Sequence, residues 1–360
     1  MKILVIPNRG RSFNAVRPEA QCYIALAELG HEVTIMSSPN NAYINEYKQS
    51  KVNFIELATL KKHSWSVIKQ IHQYIKKNAI DIVYATESKG IPNAAFACIG
   101  TKAKMITYRG TTGGLYKSDI SNYLCMFHPR IDGVICVSDA VTEYVKPKMR
   151  NAIQPKVITI YKGHDLTWYQ EDATELSTLH TQDKNFNIVC IGSPRPQKGM
   201  QYMLDAMKEL SDLTNIRLIL VGDNFDCEPY ISNIKATGMH GNIIQTGFRA
   251  DVPQIAKACD VLVLPSEREG LPRVVLESLA VGTPVITSAN EGAMEIIEDN
   301  NNGFVVPIGD GKAIANRIRL LVGDTALLQQ LSDNAQNTIA TVMSHDKTVQ
   351  ELEKYFQSVL

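Results

Sequence analysis

Apolar residues in this chain fall into short continuous blocks, separated by longer stretches in which they recur every three or four positions. Lys2 to Ile6 is the first block and predicts a strand buried on both faces. A polar loop with Arg9, Gly10 and Arg11 follows. The next periodic stretch predicts a helix from about Pro18 to Leu29, with proline in its first turn and Gly30 just past its end. The alternation continues through a strand at Glu32–Met36, a helix at Trp65–Lys77, a strand at Asp81–Ala85, a helix at Ile91–Gly100, and strands at Lys104–Tyr108 and Gly133–Val137. Strands alternating with helical patterns predict a parallel sheet covered on both faces.

The pattern then restarts. Strands are predicted at Phe186–Ile191, Ile216–Val221, Asn242–Gln245, Asp260–Leu264 and Pro284–Thr287, with helices ending near Leu210 and beginning at Pro272. Tyr161-Lys162-Gly163-His164-Asp165 and the polar residues up to about Asn185 read as a linker with an excursion. The fold class expected is α/β, with two Rossmann-like domains whose strand C-terminal ends face one cleft. The expected boundaries are 1–165 and 166–343. The final segment, 344–360, carries a helix at about Asp346–Ser358 and is expected to pack back on the first domain.

Composition agrees with this division. The chain has 360 residues, 44% hydrophobic and 21% charged, which suits folded domains and is long for a single core. Its longest apolar runs fall well short of the roughly 20 residues that span a bilayer. Net charge is zero, yet residues 1–170 hold 22 Lys and Arg against 12 Asp and Glu, and the remainder holds 15 against 25. A basic half beside an acidic half predicts different partners for the two domains. The seven cysteines are scattered without a Cys-x-x-Cys pair, and no secretory leader is read before the first strand. A cytoplasmic protein is expected, with peripheral contact on the inner face of the membrane as a further option.

The most informative stretch runs from Pro265 to Ala280. A strand ends just before it, and Pro272 suits a first helical position, so Glu269 and Gly270 lie in the loop entering a helix. Unpaired amides and the helix dipole make such a loop attractive to anions, and Gly270 allows close backbone approach. Glu277 falls about five residues into the helix, roughly 7–8 Å along its axis. Carboxylates beside a phosphate-sized site would repel phosphate, but a carboxylate accepts hydrogen bonds well from a sugar or ribose diol. The plainer alternative is a capping glutamate and a solvent-facing helix glutamate.

The spacing Glu269-x7-Glu277 resembles the Glu-x7-Glu motif of the retaining family 4 glycosyltransferases, which have the GT-B fold. Gly282-Thr283-Pro284-Val285-Ile286, Gly292-Ala293-Met294-Glu295 and Asn302-Gly303-Phe304-Val305-Val306-Pro307 are similar to the motifs that continue it. The likeness is dense over about 187–310 and looser before that. It implies that Glu277 binds the ribose diol of a UDP- or GDP-linked sugar. It implies that Glu269, with the Gly270-Leu271 amides ahead of Pro272, holds the transferred sugar and the diphosphate. It also implies hexosyl transfer with retention of configuration, and no metal or other cofactor.

After the strand Phe186–Ile191 come Gly192-Ser193-Pro194-Arg195-Pro196-Gln197-Lys198-Gly199. Lys198 stands where similar enzymes carry the lysine that clamps the departing diphosphate. Ser193 occupies the place of their arginine, and Arg195, two residues on, is the candidate substitute; a solvated turn is the alternative. Gly247, Phe248 and Arg249 resemble the base-binding turn, with a purely structural turn equally open. Asp223 follows another strand and is placed on the same side by topology. In the first domain, Arg9, Gly10, Arg11 and Arg109 are candidates for an anionic acceptor. Arg109 takes the position where many relatives have a histidine, and an arginine cannot act as a base. For the helix Trp65–Lys77, packing explains the stripe of Ile68, Ile71 and Ile75. Lys61, Lys62, Lys69, Lys76 and Lys77 leave an anionic membrane contact as the alternative.

No metal-ligand spacing, Walker loop, dinucleotide fingerprint or nucleophile elbow is present in the sequence. The expected partners are a nucleotide-sugar and a glycan, lipid-linked or phosphorylated acceptor in cell-surface polysaccharide or lipopolysaccharide synthesis. Nucleic acid is not expected. A nucleotide-sugar epimerase of the same architecture and a non-catalytic nucleotide-sugar-binding protein are the rival readings, and an oxidoreductase is a distant third.

Overall fold

A computed structural model describes residues 1–7, 12–57, 61–182 and 184–360. The chain forms two compact units, one of Met1–Gly163 with His345–Leu360, the other of His164–Ser344.

The first unit runs β1 (Lys2–Ile6), α1 (Phe13–Glu28), β2 (Glu32–Ser37), α2 (Ile44–Gln49), β3 (Asn53–Glu56), α3 (Trp65–Asn78), β4 (Ile82–Ala85), α4 (Gly90–Ala97), β5 (Lys104–Arg109), α5 (Ile120–Tyr123), β6 (Ile131–Cys136), α6 (Asp139–Val145) and β7 (Val157–Thr159). Its seven strands are parallel, in the order β3-β2-β1-β4-β5-β6-β7. β1 beyond Lys2 and all of β4 are buried because helices cover both faces. Helix α1 starts five residues before Pro18, so the proline lies inside the helix and not in its first turn. Val16 and Pro18 are both buried, and burial of that early turn overrides the lost backbone hydrogen bond.

The second unit runs β8 (Phe186–Ile191), α7 (Met200–Glu209), β9 (Ile216–Val221), α8 (Tyr230–Ala236), β10 (Ile243–Gly247), α9 (Val252–Lys257), β11 (Val261–Leu264), α10 (Arg273–Ala280), β12 (Val285–Ser288), α11 (Glu291–Met294), β13 (Gly303–Val306), α12 (Gly311–Gly323) and α13 (Thr325–Thr341). Its strands are also parallel, in the order β10-β9-β8-β11-β12-β13. The chain leaves β8 toward β9 on one side and later returns to β11 on the other. That reversal is where open α/β sheets bind ligands, beyond the strands' C-terminal ends. The last helix, α14 (His345–Val359), belongs to the first unit and buries Val349, Leu352, Tyr355, Phe356 and Val359 in its core.

Candidate active site

Lys198 reaches the second unit's reversal point through a series of tight backbone contacts. Beyond β8, Gly192 lies so close to Gly222, which follows β9, that a Cβ on Gly222 would stand 2.5 Å from the Gly192 carbonyl oxygen. Residues Pro196–Lys198 make one tight helical turn, closed by Gly199 at φ 63°. A Cβ on Gly199 would lie 2.0 Å from the carbonyl oxygen of Pro265, the first residue after β11. The Glu267 amide donates to the Gln197 carbonyl at 2.9 Å. The backbones of the loops after β8 and β11 are thus in direct contact.

This contact brings the Lys198 Nζ to 2.7 Å from Glu269 Oε1, with both side chains largely covered. An ammonium has three donors, so two remain for other acceptors. The loop is backed from behind as well: a Cβ on Gly292, in α11, would meet the Gly270 carbonyl oxygen at 2.3 Å. Asn290 ties the same region together, donating from Nδ2 to the carbonyls of Ser266 and Ser288, each at 3.2 Å. The Ser266 and Ser288 hydroxyls are buried with no hydrogen-bond partner among the described residues. Sequence reasoning did not single out Asn290 or Ser266; the Asn290 cap before a short helix was the available signal.

Pro272 is the residue before the helix, extended at φ −75° and ψ 107°, and α10 itself begins at Arg273. Leu271 and Gly270 lie partly covered ahead of it. Glu277 is only 5% exposed. Burial pushes its carboxyl up to about 7, against the opposing pull of Arg273 one turn earlier. No hydrogen bond to that carboxyl is found among the described residues. This excludes the solvent-facing alternative for Glu277.

The remaining candidates divide. Arg195 and Asp223 are exposed, and their side chains form no hydrogen bond or ion pair with another described residue. Ser193 and Gly192 lie beside them at the end of β8. Gly247 takes φ 69°, and Phe248 is exposed. Arg249 is engaged by Asp251 through two hydrogen bonds of 2.8 and 2.6 Å. Arg109 turns back on its own loop, donating from Nε to the Thr111 carbonyl at 3.0 Å and from Nη2 to that of Gly113. Arg9, Gly10 and Arg11 lie outside the described residues. Among the described residues no three His, Cys, Asp or Glu side chains cluster as metal ligands.

Sequence reasoning also missed a largely covered pair in the first unit, Lys162 with Glu19. Lys162 Nζ lies 4.2 Å from the centre of the Tyr108 ring, and the Thr86 hydroxyl donates to Glu19 at 3.3 Å. Glu19, Tyr108 and Lys162 border a cavity of about 30 Å³ between α1, α14 and the sheet.

Two parallel-sheet α/β units, with polar loops at the second one's reversal point, are the architecture of the GT-B fold. The model "Glycosyl transferases group 1" matches residues 173–338, and "Glycosyltransferase Family 4" matches 21–168. Together they take in most of the chain, which belongs to the GT-B glycosyltransferases. It is similar to N-acetyl-alpha-D-glucosaminyl L-malate synthase of Bacillus anthracis, at 24% identity over 93% of this chain and 91% of the relative. It is also similar to UDP-Gal:alpha-D-GlcNAc-diphosphoundecaprenol alpha-1,3-galactosyltransferase of Escherichia coli, at 25% identity over 79% and 77%. Among solved structures, HepE of Anabaena in complex with UDP shares the fold, with a TM-score of 0.80, 22% identity, and coverage of 99% of this chain and 100% of that one.

Proposed function

We propose that this glycosyltransferase moves a hexose from a nucleotide-sugar to an acceptor with retention of configuration and without a metal. The reading rests on one observation above the others: Lys198 pairs with Glu269 across the loops after β8 and β11, and the second of these loops leads into α10, which carries the buried Glu277. As the glycosidic bond breaks, charge builds on the departing diphosphate. In this reading Lys198, the amides at Gly270 and Leu271, and the exposed Arg195 stabilise that charge. Glu269 holds the Lys198 ammonium in position and presents a carboxylate to sugar hydroxyls. Glu277 accepts from the ribose diol. The residues themselves supply the positive charge that a metal would otherwise bring.

Retention and membership of family 4 follow from the resemblance of the Glu269–Glu277 motif. A UDP-linked donor is favoured over a GDP-linked one by the two relatives named for UDP and UDP-Gal. The diphosphoundecaprenol in the Escherichia coli relative's name supports a lipid-linked acceptor in cell-surface glycan synthesis. The basic first unit is the one proposed to receive it.

A thermal-shift panel of UDP, GDP, ADP and dTDP tests the donor: a ligand at 100-fold over its dissociation constant adds about 2.7 kcal/mol. Lys198→Ala should lower turnover about 10²–10³-fold with the fold retained by circular dichroism. A folded variant that turns over as fast as wild type removes Lys198 from the reaction. Nucleoside diphosphate released only when acceptor is present supports transfer; epimerised donor without release supports the isomerase instead.

A further inference from the structure

The apolar stripe of α3 is already used. Val67, Ile68, Ile71 and Ile75 are buried, so this face cannot also contact a membrane. The exposed apolar surface lies beside it. Trp65, the first residue of α3, is 79% exposed, and so is Ile120. Tyr116, Tyr123 and Leu124 are exposed as well.

These side chains are held outward by structure. Leu115 is fully buried and its amide donates to the Tyr144 hydroxyl at 3.1 Å. Met126 and Phe127 are buried at the other end, with Tyr123 edge-on to Phe127 at 5.3 Å. Asn122 closes the segment by donating to the Tyr116 carbonyl at 3.1 Å. Phe96, in α4, links the end of this segment to the entry of α3. The Phe96 ring lies 5.9 Å from His63 on one side and 4.6 Å from His128 on the other. Lys62 is near enough to Cys125 to act on its thiol electrostatically.

The charge around this surface has one sign. Residues 57–80 hold five lysines and no Asp or Glu. Between Glu87 and Asp132 the one acidic residue is Asp119, whose carboxylate accepts the Ser121 amide at 2.9 Å.

We propose that residues 61–65 and 116–124 form a docking surface for an anionic lipid bilayer. This rests on the reading that the acceptor is lipid-linked. Tryptophan and tyrosine settle at headgroup depth, isoleucine and leucine reach the acyl boundary, and lysines meet anionic headgroups. A soluble phosphorylated acceptor would use the cations and leave no role for exposed Trp65, Ile120 and Leu124. A protein partner would use the apolar groups, but lysine is depleted at the core of such interfaces.

The test uses the full chain and vesicles of about one-third phosphatidylglycerol in phosphatidylcholine. Wild type should cosediment at about 50 mM salt, lose about tenfold or more of its partition at about 500 mM, and ignore pure phosphatidylcholine. Brominated lipid should quench Trp65 emission, and Trp65→Phe should remove that quenching. Ile120→Ser with Leu124→Ser should lower partition about tenfold or more. Lys61→Ala and Lys62→Ala should each lower it about fivefold at low salt. All variants should keep the wild-type thermal shift with UDP, which confirms the fold and the donor site. No pelleting of folded wild type at low salt, equal binding to neutral vesicles, or undiminished binding by the Ile120/Leu124 variant overturns the proposal. Vesicle binding that persists while no nucleoside diphosphate stabilises the protein would instead overturn the donor reading.

Discussion

At the scale of single residues, Glu277 carries a cost that the ribose contact proposed for it would explain. Its carboxyl is buried, lacks a hydrogen bond among the described residues, and titrates near about 7. A folded-state pKa raised above the unfolded value means that the native protein holds a proton the unfolded chain has released. Stability therefore falls as pH rises from about 4.5 to about 7, and above that the penalty is complete, on the order of 3 kcal/mol. Glu277→Gln removes the penalty. At about pH 8 the unliganded variant should melt above wild type, by several degrees for domains of this size. It should also bind the nucleotide-sugar about 10–150-fold more weakly, because a charge-assisted bond to a diol is worth about 1.5–3 kcal/mol. Wild-type affinity for the nucleotide-sugar should climb between about pH 6 and pH 8, and the variant's should stay flat. A variant that binds as wild type does would remove Glu277 from the ribose.

At the scale of elements, the site depends on Gly199. Its φ of 63° is left-handed, and the nearest atom a Cβ there would meet is the Pro265 carbonyl oxygen, backbone that cannot swing away. Gly199→Ala should force the Pro196–Lys198 turn away from Pro265 and separate Lys198 from Glu269. Turnover should fall about tenfold or more while the far-UV spectrum holds, and steady-state kinetics with circular dichroism would check both. Sequence could announce the parts of this arrangement but not their meeting. β8 and β11 read as strands because β11 is apolar throughout and β8 is apolar but for Asn187, yet their adjacency is a matter of sheet order. Pairing of Lys198 with Glu269 follows only from that order. Edge strands were harder for a related reason. β3 is half-exposed and mixes Asn53 and Glu56 with Phe54 and Ile55, and β7 is only Val157–Thr159, so neither shows the continuous apolar run of a central strand. Arg249 looked available for a ligand, but a carboxylate two residues along engages it.

At the scale of the whole molecule, the first unit is closed by the end of the chain. The helix α14 lies beyond the second sheet in sequence, yet its apolar face completes the first unit's core. Phe356 is fully buried and meets the Tyr84 ring edge-on at 5.4 Å. The fit at Tyr355 is equally close: a Cβ on Gly133 would lie 2.2 Å from the Tyr355 hydroxyl oxygen, which donates to the Lys156 carbonyl at 2.5 Å. The last helix was expected on this unit from sequence, but nothing in its own pattern says which strands it covers. The consequence is a separation of stability from donor binding. Phe356→Ala should cost about 3–5 kcal/mol, and the loss should fall on the first unit. Proteolysis should then cut residues 1–163 early and leave a fragment beginning near His164. The residues proposed to hold the nucleotide lie in the second unit, so the dissociation constant for UDP should stay at the wild-type value below the first melting transition. Calorimetric unfolding with and without UDP, followed by mass analysis of the resistant fragment, measures both. If UDP affinity falls in step with the lost stability, the two units do not unfold separately and the independence argued here is wrong.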